Sequence, residues 1–271
     1  MVQSVRKKRK RARDRIGIAL IVLVVLVIAG GGAGYFYLQQ TRVALDETTL
    51  CPKDGARTLT VVLVDRTDPL NTVQKEALRD RLQEIQDNVA QYGALKIYSV
   101  EPIGETLLRP LVDLCNPGRG SDIDPKFGNP RLVEKRWLER FAVPIEALLD
   151  DLMQTHEADS SPIMESIQSV AVSTLRGNPA AEIPKRLIIA SDMLQHTVEY
   201  SQYKGGIDFQ EFRKSGYYRR LQADLRGVEV EIIYIRRDTR RAAQGKAHVQ
   251  FWRDYIGDLG GVLTRVVALE G

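Results

Sequence analysis

The stretch LTVVLVDRTDPLN, residues 59–71, joins a short apolar run to a cluster of polar side chains. Residues 59–64 are mostly apolar and β-branched without alternation, which is typical of a strand buried on both faces. Residues 65–68 then bring a carboxylate, a guanidinium, a hydroxyl and a second carboxylate, and a proline follows. The pattern predicts either a binding site at the end of a strand or a turn in which Thr67 or Asp68 caps the next helix.

Similar strand-like segments alternate with helical patterns along the rest of the chain. The predicted strands are 58–64, 94–102, 107–115, 185–191, 228–235 and 261–269, and the predicted helices are 73–93, 131–154, 161–175, 208–225 and 242–257. Gly93 follows the first helix, Pro144 is expected to kink or break the second, and Ser161 is a suitable N-cap for the third. This alternation predicts an α/β domain with a mostly parallel sheet covered on both faces.

Residues 16–38, IGIALIVLVVLVIAGGGAGYFYL, contain no charged side chain. A helix of this length spans the roughly 30 Å of a bilayer core at a rise of about 1.5 Å per residue. A cleaved signal peptide usually has an apolar region of only about 7–15 residues. The pattern therefore favours a single uncleaved transmembrane helix, with Tyr35 and Tyr37 near its end, where aromatic rings favour the membrane interface.

The basic character of the chain is concentrated before this apolar segment. Residues 1–15 contain eight basic side chains and one acidic one, whereas the other 256 residues contain 31 basic and 34 acidic. Because Lys and Arg beside a span stay in the cytoplasm, we expect a cytoplasmic N-terminus and a periplasmic C-terminal domain in a bacterial inner membrane. The predicted parts are a basic tail (1–15), a transmembrane helix (16–38), a connector (39–57) and one α/β domain (58–271).

Cys51 and Cys115 are the two cysteines of the chain, and neither lies in a C-x-x-C pair. This spacing argues against a zinc site built on thiolates. In an oxidising compartment two such cysteines can form a disulfide. The sequence leaves the pairing open, because it does not give the distance between the two residues.

A second buried strand ends in the same way as the first. KRLIIAS, residues 185–191, is followed directly by Asp192. Ligands of open α/β sheets bind beyond the carboxyl ends of the strands. If both strands lie near the middle of the sheet, the carboxylates of Asp65 and Asp192 converge with the hydroxyls of Thr67 and Ser161. Oxygen ligands of this kind suit Mg²⁺ or another hard divalent cation.

At these residues the chain resembles the von Willebrand factor A domain family, over about residues 55–271. In that family a D-x-S-x-S loop follows the first strand, a Thr comes from a later loop, and an Asp comes from a T-D-G-like turn. Asp65 and Thr67 match the first Asp and the first Ser of the loop. Ser161, in S-P-I-M-E, resembles the Thr of a T-P-L-x-E stretch, and Asp192, in S-D-M, matches the Asp of the turn.

The resemblance implies a three-layer, Rossmann-like sheet with one antiparallel edge strand after the first helix. It also implies a metal-ion-dependent adhesion site, where a carboxylate of a partner protein completes the coordination of the metal. Pro69 stands where the second Ser of the loop is expected. Because this proline removes a ligand oxygen, we expect only weak binding of Mg²⁺ or Mn²⁺. Asp68 has no counterpart in the motif and is a candidate ligand through a water molecule.

Candidate contacts to a partner lie around the same strand ends: Arg66, His196, Tyr200 and Tyr203. His196 follows Asp192 by four residues, and the two tyrosines begin a segment rich in Tyr and Arg, residue types that are favoured at interface centres. An ordinary surface loop is the alternative interpretation of this segment. The expected compartment argues against nucleic acid, and the chain has no P-loop, G-x-G-x-x-G or G-x-S-x-G motif.

The sequence therefore predicts a membrane-anchored module that docks a protein partner at the strand-end site, within an envelope-associated complex. The lack of a recognisable nucleophile or base argues against an enzyme. One alternative is a metal-dependent hydrolase that uses the carboxylates of Asp65, Asp68 and Asp192. Another is an assembly subunit in which the site is inert. The identity of the partner and the oligomeric state stay open.

Overall fold

The computed structural model describes residues 17, 20–34, 36, 43–101, 107–126, 128–154, 158–176, 183–205, 207–237 and 242–270. The chain divides into two compact units, Met1–Ala44 and Leu45–Gly271. In the first unit, residues 20–34 are helical. No helix within the described ranges is both long enough and apolar enough to cross a membrane. The predicted basic tail (1–15) and both ends of the predicted span, at residues 16, 18, 19, 35, 37 and 38, lie outside these ranges.

The second unit is built on one six-stranded sheet in the order β3-β2-β1-β4-β5-β6. The strands are β1 (Leu59–Asp65), β2 (Ala94–Val100), β3 (Val112–Cys115), β4 (Lys185–Ser191), β5 (Val228–Ile235) and β6 (Val262–Leu269). β3 is antiparallel to β2, whereas the pairs β1–β2, β1–β4, β4–β5 and β5–β6 are parallel. The predicted α/β class, with a mostly parallel sheet and one antiparallel edge strand, is confirmed.

Helices cover both faces of this sheet. They are α1 (Thr72–Asp87), α2 (Pro130–Trp137), α3 (Val143–Leu152), α4 (Ile163–Val170), α5 (Phe209–Phe212), α6 (Gly216–Arg220) and α7 (Lys246–Asp258). Val61 and Leu63 of β1 pack with apolar side chains of α4 to α7, and Val62 and Val64 pack with those of α1 to α3. Successive side chains of a strand point to opposite faces, so one buried strand contributes to both halves of the core.

The structure corrects two local predictions about the first helix and narrows a third, at Pro144. α1 ends at Asp87 with Asn88 as its C-cap, not at Gly93. Its N-cap is Asn71, whose side chain accepts a hydrogen bond from the backbone N–H of Gln74 at 2.9 Å, so neither Thr67 nor Asp68 caps it. Of the kink or break predicted at Pro144, the structure excludes the break, because the helical run continues through a wide π turn, Leu138–Ala142, directly into α3. Such a turn changes the hydrogen-bond spacing where the proline lacks an N–H.

The predicted connector, residues 39–57, partly belongs to the domain. From Leu45 onward it is part of the second unit, and Leu50 is only 3% exposed within the core. Cys51 forms a disulfide with Cys115, across a sequence separation of 64. Cys115 pairs with Ala94, the first residue of β2. The disulfide therefore lies at the end of the sheet where the parallel strands begin.

The opposite end of the sheet contains the point where the strand order reverses. β1 has β2 on one side and β4 on the other, and it is parallel to both. The connections leave such neighbouring strands in opposite directions, which opens a crevice beyond their carboxyl ends. Asp65 is the last residue of β1 and Ser191 is the last residue of β4. Both residues therefore lie at this crevice.

Candidate functional site

Asp65 is the centre of a buried hydrogen-bond network at the crevice, and it is 7% exposed. Its Oδ1 accepts hydrogen bonds from the backbone N–H and the hydroxyl of Thr67, at 3.0 and 2.7 Å. Its Oδ2 accepts from the hydroxyls of Ser161 and Ser191, at 3.1 and 2.7 Å. Hydrogen bonds to a charged acceptor are strong in a low-dielectric interior. The structure thus brings Asp65, Thr67 and Ser161 together, and it adds Ser191, which was not predicted from the sequence.

Ser161 reaches Asp65 because its segment pairs with the segment after β4. The backbone N–H groups of Ser161 and His196 each donate to the other's carbonyl, at 2.8 and 3.0 Å. The predicted N-cap role of Ser161 is wrong, since the N-cap position of α4 is occupied by Pro162. The backbone N–H of Met164 is instead satisfied by the side-chain oxygen of Gln195, at 2.8 Å. The hydroxyl of Ser161 is therefore available to Asp65.

Asp192 is the second carboxylate of the site, and it is 2% exposed. Its Oδ1 accepts from the backbone N–H of Leu194 at 2.8 Å, and its Oδ2 accepts from Nε of Arg237 at 3.2 Å. Burial, together with the negative charge of Asp65, raises the pKa of Asp192 to about 7, although the charge of Arg237 acts in the opposite direction. Arg237 is thus the cation that directly faces this buried carboxylate.

Arg237 was not predicted from the sequence. It lies two residues after the end of β5, the strand next to β4. Its guanidinium donates to the backbone carbonyls of Pro69, through Nη1, and of Asp68, through Nη2 at 3.4 Å. The available signal was the basic pair Arg236–Arg237 directly after a buried strand that ends at the same edge of the sheet. That signal does not say which of the two side chains turns inward.

A cleft of about 570 Å³ opens over this network. Six of the residues predicted to form the site line it: Thr67, Asp68, Ser161, Asp192, His196 and Tyr203. Pro69, Ala158, Asp159, Ser160 and Arg237 complete its walls. Arg66 instead pairs with Asp151 at 3.3 Å. Tyr200 packs against Phe212, with 4.5 Å between the ring centroids. Most of the residues that line the cleft carry a charge or a hydroxyl group.

Two aromatic side chains form one wall of the cleft. The rings of His196 and Tyr203 meet edge to face, with 5.2 Å between their centroids. The hydroxyl of Tyr203 donates to Oδ2 of Asp68 at 3.2 Å, and Nδ1 of His196 lies 2.8 Å from the hydroxyl of Ser201. Burial and the charges of Asp192 and Asp68 raise the pKa of Tyr203, so its hydroxyl stays protonated and continues to donate to Asp68.

The proposed metal ligands are oxygen atoms, as Mg²⁺ prefers, but their arrangement does not fit a resident divalent cation. The hydroxyls of Thr67 and Ser161 donate to Asp65, and the guanidinium of Arg237 faces Asp192. A metal ion beside Asp192 would meet the positive charge of Arg237. In the part of the chain that the structure describes, no group of three or more His, Cys, Asp or Glu side chains is placed to hold a metal.

A second buried hydrogen-bond network holds the segment directly after Asp192. Met193 has a φ of +62°, a conformation that is uncommon for residues other than glycine. Its carbonyl accepts from the indole N–H of Trp252 at 2.9 Å and lies 3.1 Å from Nε2 of His248. Nδ1 of His248 lies 2.6 Å from the hydroxyl of Tyr234. Burial lowers the pKa of His248 to about 4, so this imidazole is neutral at pH 7.

His248 should make the domain sensitive to acid. Its pKa is about 4 in the fold and about 6.5 in an unfolded chain, so the unfolded state binds the extra proton between these values. The histidine therefore removes stability as the pH falls from 6.5 to 4, by up to about 3 kcal/mol. We expect the parent and His248→Gln to differ in their free energy of unfolding, measured with urea, and we expect this difference to shrink as the pH falls over this range.

The comparison with His248→Gln is needed because protonation of Asp192 changes the stability of the fold in the opposite direction. Its raised pKa means that the folded state binds the extra proton between pH 4 and 7, which stabilises the fold at the acid end. That contribution is common to both proteins and cancels in the difference between them. Parallel curves for the parent and His248→Gln between pH 7 and pH 4 would contradict the assignment to His248.

No protein-family model matches the chain, and no curated protein matches it. Among solved structures, the SpRpn10 VWA domain is similar at 11% identity and a TM-score of 0.39, covering 79% of this chain and 88% of that one. The conserved hypothetical protein BatB from Bacteroides thetaiotaomicron is similar at 10% identity and 0.39, covering 79% and 91%. Proximal thread matrix protein 1 from the mussel byssus, with a zinc occupied MIDAS motif, is similar at 12% and 0.38, covering 80% and 44%.

Proposed function

We propose that this chain is a single-pass, membrane-anchored binding module whose α/β domain docks a protein partner in the cleft beyond β1 and β4. The observation that carries this proposal is the cleft itself, about 570 Å³ at the point where the strand order reverses. Four separate segments of the chain form its walls, around Thr67, Ser160, His196 and Arg237. Hydrogen bonds to the buried carboxylates of Asp65 and Asp192 hold these segments together before any ligand arrives, and such preorganisation favours binding.

The chemistry of the walls favours a protein over a small molecule. Small-molecule pockets are lined mainly by apolar and aromatic side chains, with a few polar groups. The walls of this cleft instead carry Asp68, Asp159, Asp192, Arg237 and several hydroxyls. Polar and charged groups of this kind set register and specificity at protein interfaces. The aromatic pair of His196 and Tyr203 adds a rigid surface against which a partner side chain can pack.

Anchoring and location are part of the same proposal. The support is the charge-free run of residues 16–38, preceded by the eight basic side chains of residues 1–15. This asymmetry favours a bacterial inner membrane protein with a cytoplasmic N-terminus and a periplasmic domain. The disulfide between Cys51 and Cys115 fits an oxidising compartment. In this proposal Mg²⁺ or Mn²⁺ binds only weakly and is not resident.

The hydrolase alternative has less support from the geometry. It requires a divalent cation on the carboxylates of Asp65, Asp68 and Asp192. Both oxygens of Asp65 already accept two hydrogen bonds each, and Asp192 is paired with Arg237. The hydroxyl groups around Asp65 donate to that carboxylate, so they are held as structural donors. We therefore retain docking as the proposed function.

Site-specific photo-crosslinking in intact cells would test the docking proposal. A crosslinker placed at Asp159, on the exposed rim of the cleft, is expected to capture one defined protein. The matched control is a crosslinker at Glu229, which is exposed near the start of β5, at the opposite end of the sheet. Asp68→Ala should reduce the captured product by about tenfold, as expected when an interface residue worth about 1.4 kcal/mol is removed.

The control at Glu229 decides whether the product at residue 159 reports docking at the cleft or nonspecific proximity. The same product from residues 159 and 229 would indicate nonspecific proximity and would contradict docking at the cleft. No product from residue 159, or a product that Asp68→Ala leaves unchanged, would also contradict it. Glu229→Ala should leave the product at residue 159 intact, because that side chain is far from the cleft walls.

A further inference from the structure

Arg237 makes a set of contacts that is unusual for an arginine at the rim of a cleft. Its side chain is only 15% exposed. Nε donates to the carboxylate of Asp192 at 3.2 Å. Nη1 donates to the carbonyl oxygen of Pro69, and Nη2 donates to that of Asp68 at 3.4 Å. All three nitrogens of the guanidinium are thus directed at oxygen atoms of the loop after β1, called the first loop below, and of the segment after β4.

These acceptors are carboxylate and carbonyl oxygens, the types that also ligate hard cations. A buried carboxylate such as Asp192 requires a nearby positive charge or a proton, since leaving it ionised and unpaired is costly. Asp65, with its own negative charge, increases that requirement. The guanidinium therefore occupies the place where the electrostatics of the site demand a cation.

The position of Arg237 is fixed by buried groups. Gln244 is 1% exposed, and its side-chain oxygen accepts from the backbone N–H of Arg237 at 2.7 Å. The side-chain N–H₂ of Gln244 donates to the carbonyls of Asp192 and Ile235, at 3.0 and 2.8 Å. One buried amide thus ties the end of β5 to the end of β4 and holds Arg237 above Asp192.

We propose that Arg237 is a built-in cation that takes the place of a divalent metal ion at the strand-end site. Its guanidinium joins the first loop to Asp192 and excludes metal ions by charge. The site is then complete without metal, and removal of the Arg237 charge converts it into a cation-binding site formed by Asp65, Asp192 and their neighbouring hydroxyls. This inference concerns the chemistry of the site and holds whether or not a protein docks there.

The test is a titration of the full-length, chelator-treated chain with Mn²⁺, followed by the electron paramagnetic resonance signal of the free ion. We expect the parent to bind more weakly than about 1 mM, at the weak end of protein oxygen sites. Arg237→Ala is expected to bind at least about tenfold more tightly. Mn²⁺ should also raise the unfolding temperature of this variant but not that of the parent.

Four further variants separate charge from structure. Arg237→Lys keeps a positive charge and is expected to behave as the parent. Arg236→Ala removes the same charge from the neighbouring residue, which is 4.0 Å from Glu270, and should also behave as the parent. In the double variant Arg237→Ala with Asp65→Asn, the gain in Mn²⁺ affinity should disappear. Arg237→Gln, which keeps a hydrogen-bond donor without the charge, is used if Arg237→Ala does not fold.

Two results would overturn the proposal. The first is tight Mn²⁺ binding by the parent that Asp65→Asn abolishes, because a metal ion would then coexist with Arg237. The second is a folded Arg237→Ala or Arg237→Gln protein whose affinity for Mn²⁺ equals that of the parent. A variant that is unfolded without Mn²⁺ and folds when the ion is added would support the proposal.

Discussion

Replacing Cys51 and Cys115 together with serine is expected to lower the free energy of unfolding by about 2–4 kcal/mol. The disulfide closes a loop with a sequence separation of 64, and a crosslink over such a loop removes much entropy from the unfolded chain. It also ties the segment around Leu50, which is 3% exposed, to the edge strand β3. Urea unfolding of the full-length chain under oxidising conditions would measure the loss.

Reduction of the parent provides the matched control. A reducing agent should destabilise the parent by a similar amount and should have no effect on the double serine variant. Equal stability of the oxidised parent and the double serine variant would show that the bond contributes nothing. Equal sensitivity of the parent and the variant to reductant would contradict the assignment of the effect to this bond, because the variant has no cysteine left to reduce.

Glu231→Ala is expected to cost about 3–5 kcal/mol, the range for breaking a buried ion pair by removing one partner. Glu231 lies on β5 and is 1% exposed. One of its carboxylate oxygens accepts from Arg81 of α1 at 2.6 Å, and the other accepts from Arg186 of β4. The side chain of Arg81 is only 13% exposed, so the substitution leaves a largely buried guanidinium without this partner.

The control for Glu231 lies two residues earlier on the same strand. Glu229 is exposed, and Glu229→Ala should change stability by less than about 0.5 kcal/mol. Although burial acts to raise it, the pKa of Glu231 is lowered by the hydrogen bonds from Arg81 and Arg186. Its contribution is therefore present above the unfolded value of 4.5 and is lost as the pH falls through the folded value. A cost for Glu231→Ala no larger than that of Glu229→Ala would contradict the predicted role.

The sheet could be predicted well because its strands carry their signal locally. The segment KRLIIAS, predicted as 185–191, forms β4 over Lys185–Ser191, since a short, uniformly apolar run has few alternatives in an α/β chain. The grouping of Asp65, Thr67 and Ser161 also followed, because carboxyl ends of parallel strands meet at one edge. Here local pattern and general topology agreed with each other.

The cation of the site could not be predicted in the same way. Arg237 and Gln244 reach the first loop and Asp192 from more than 40 residues away in the chain. No periodicity encodes such contacts, which depend on how the end of β5 turns over β4. The family motif indicates only the ligand oxygen that is missing at Pro69. The structure places the positive charge of Arg237 beside Asp192, and in our proposal this charge opposes metal binding more directly than the missing oxygen does.

If the domain is anchored through its N-terminal side and bound by a partner at the cleft, as we propose, the disulfide has a mechanical consequence. The chain enters the domain near Cys51, where the parallel strands begin, and the cleft lies where β1 and β4 finish. A partner pulling on the cleft would load these strands along their length, so that their backbone hydrogen bonds resist in shear. Cys51 passes part of the force through its sulfur into β3 and the rest through the backbone into β1. The tension is thereby divided between an edge strand and a central strand, so that residues 52–58 carry only part of it.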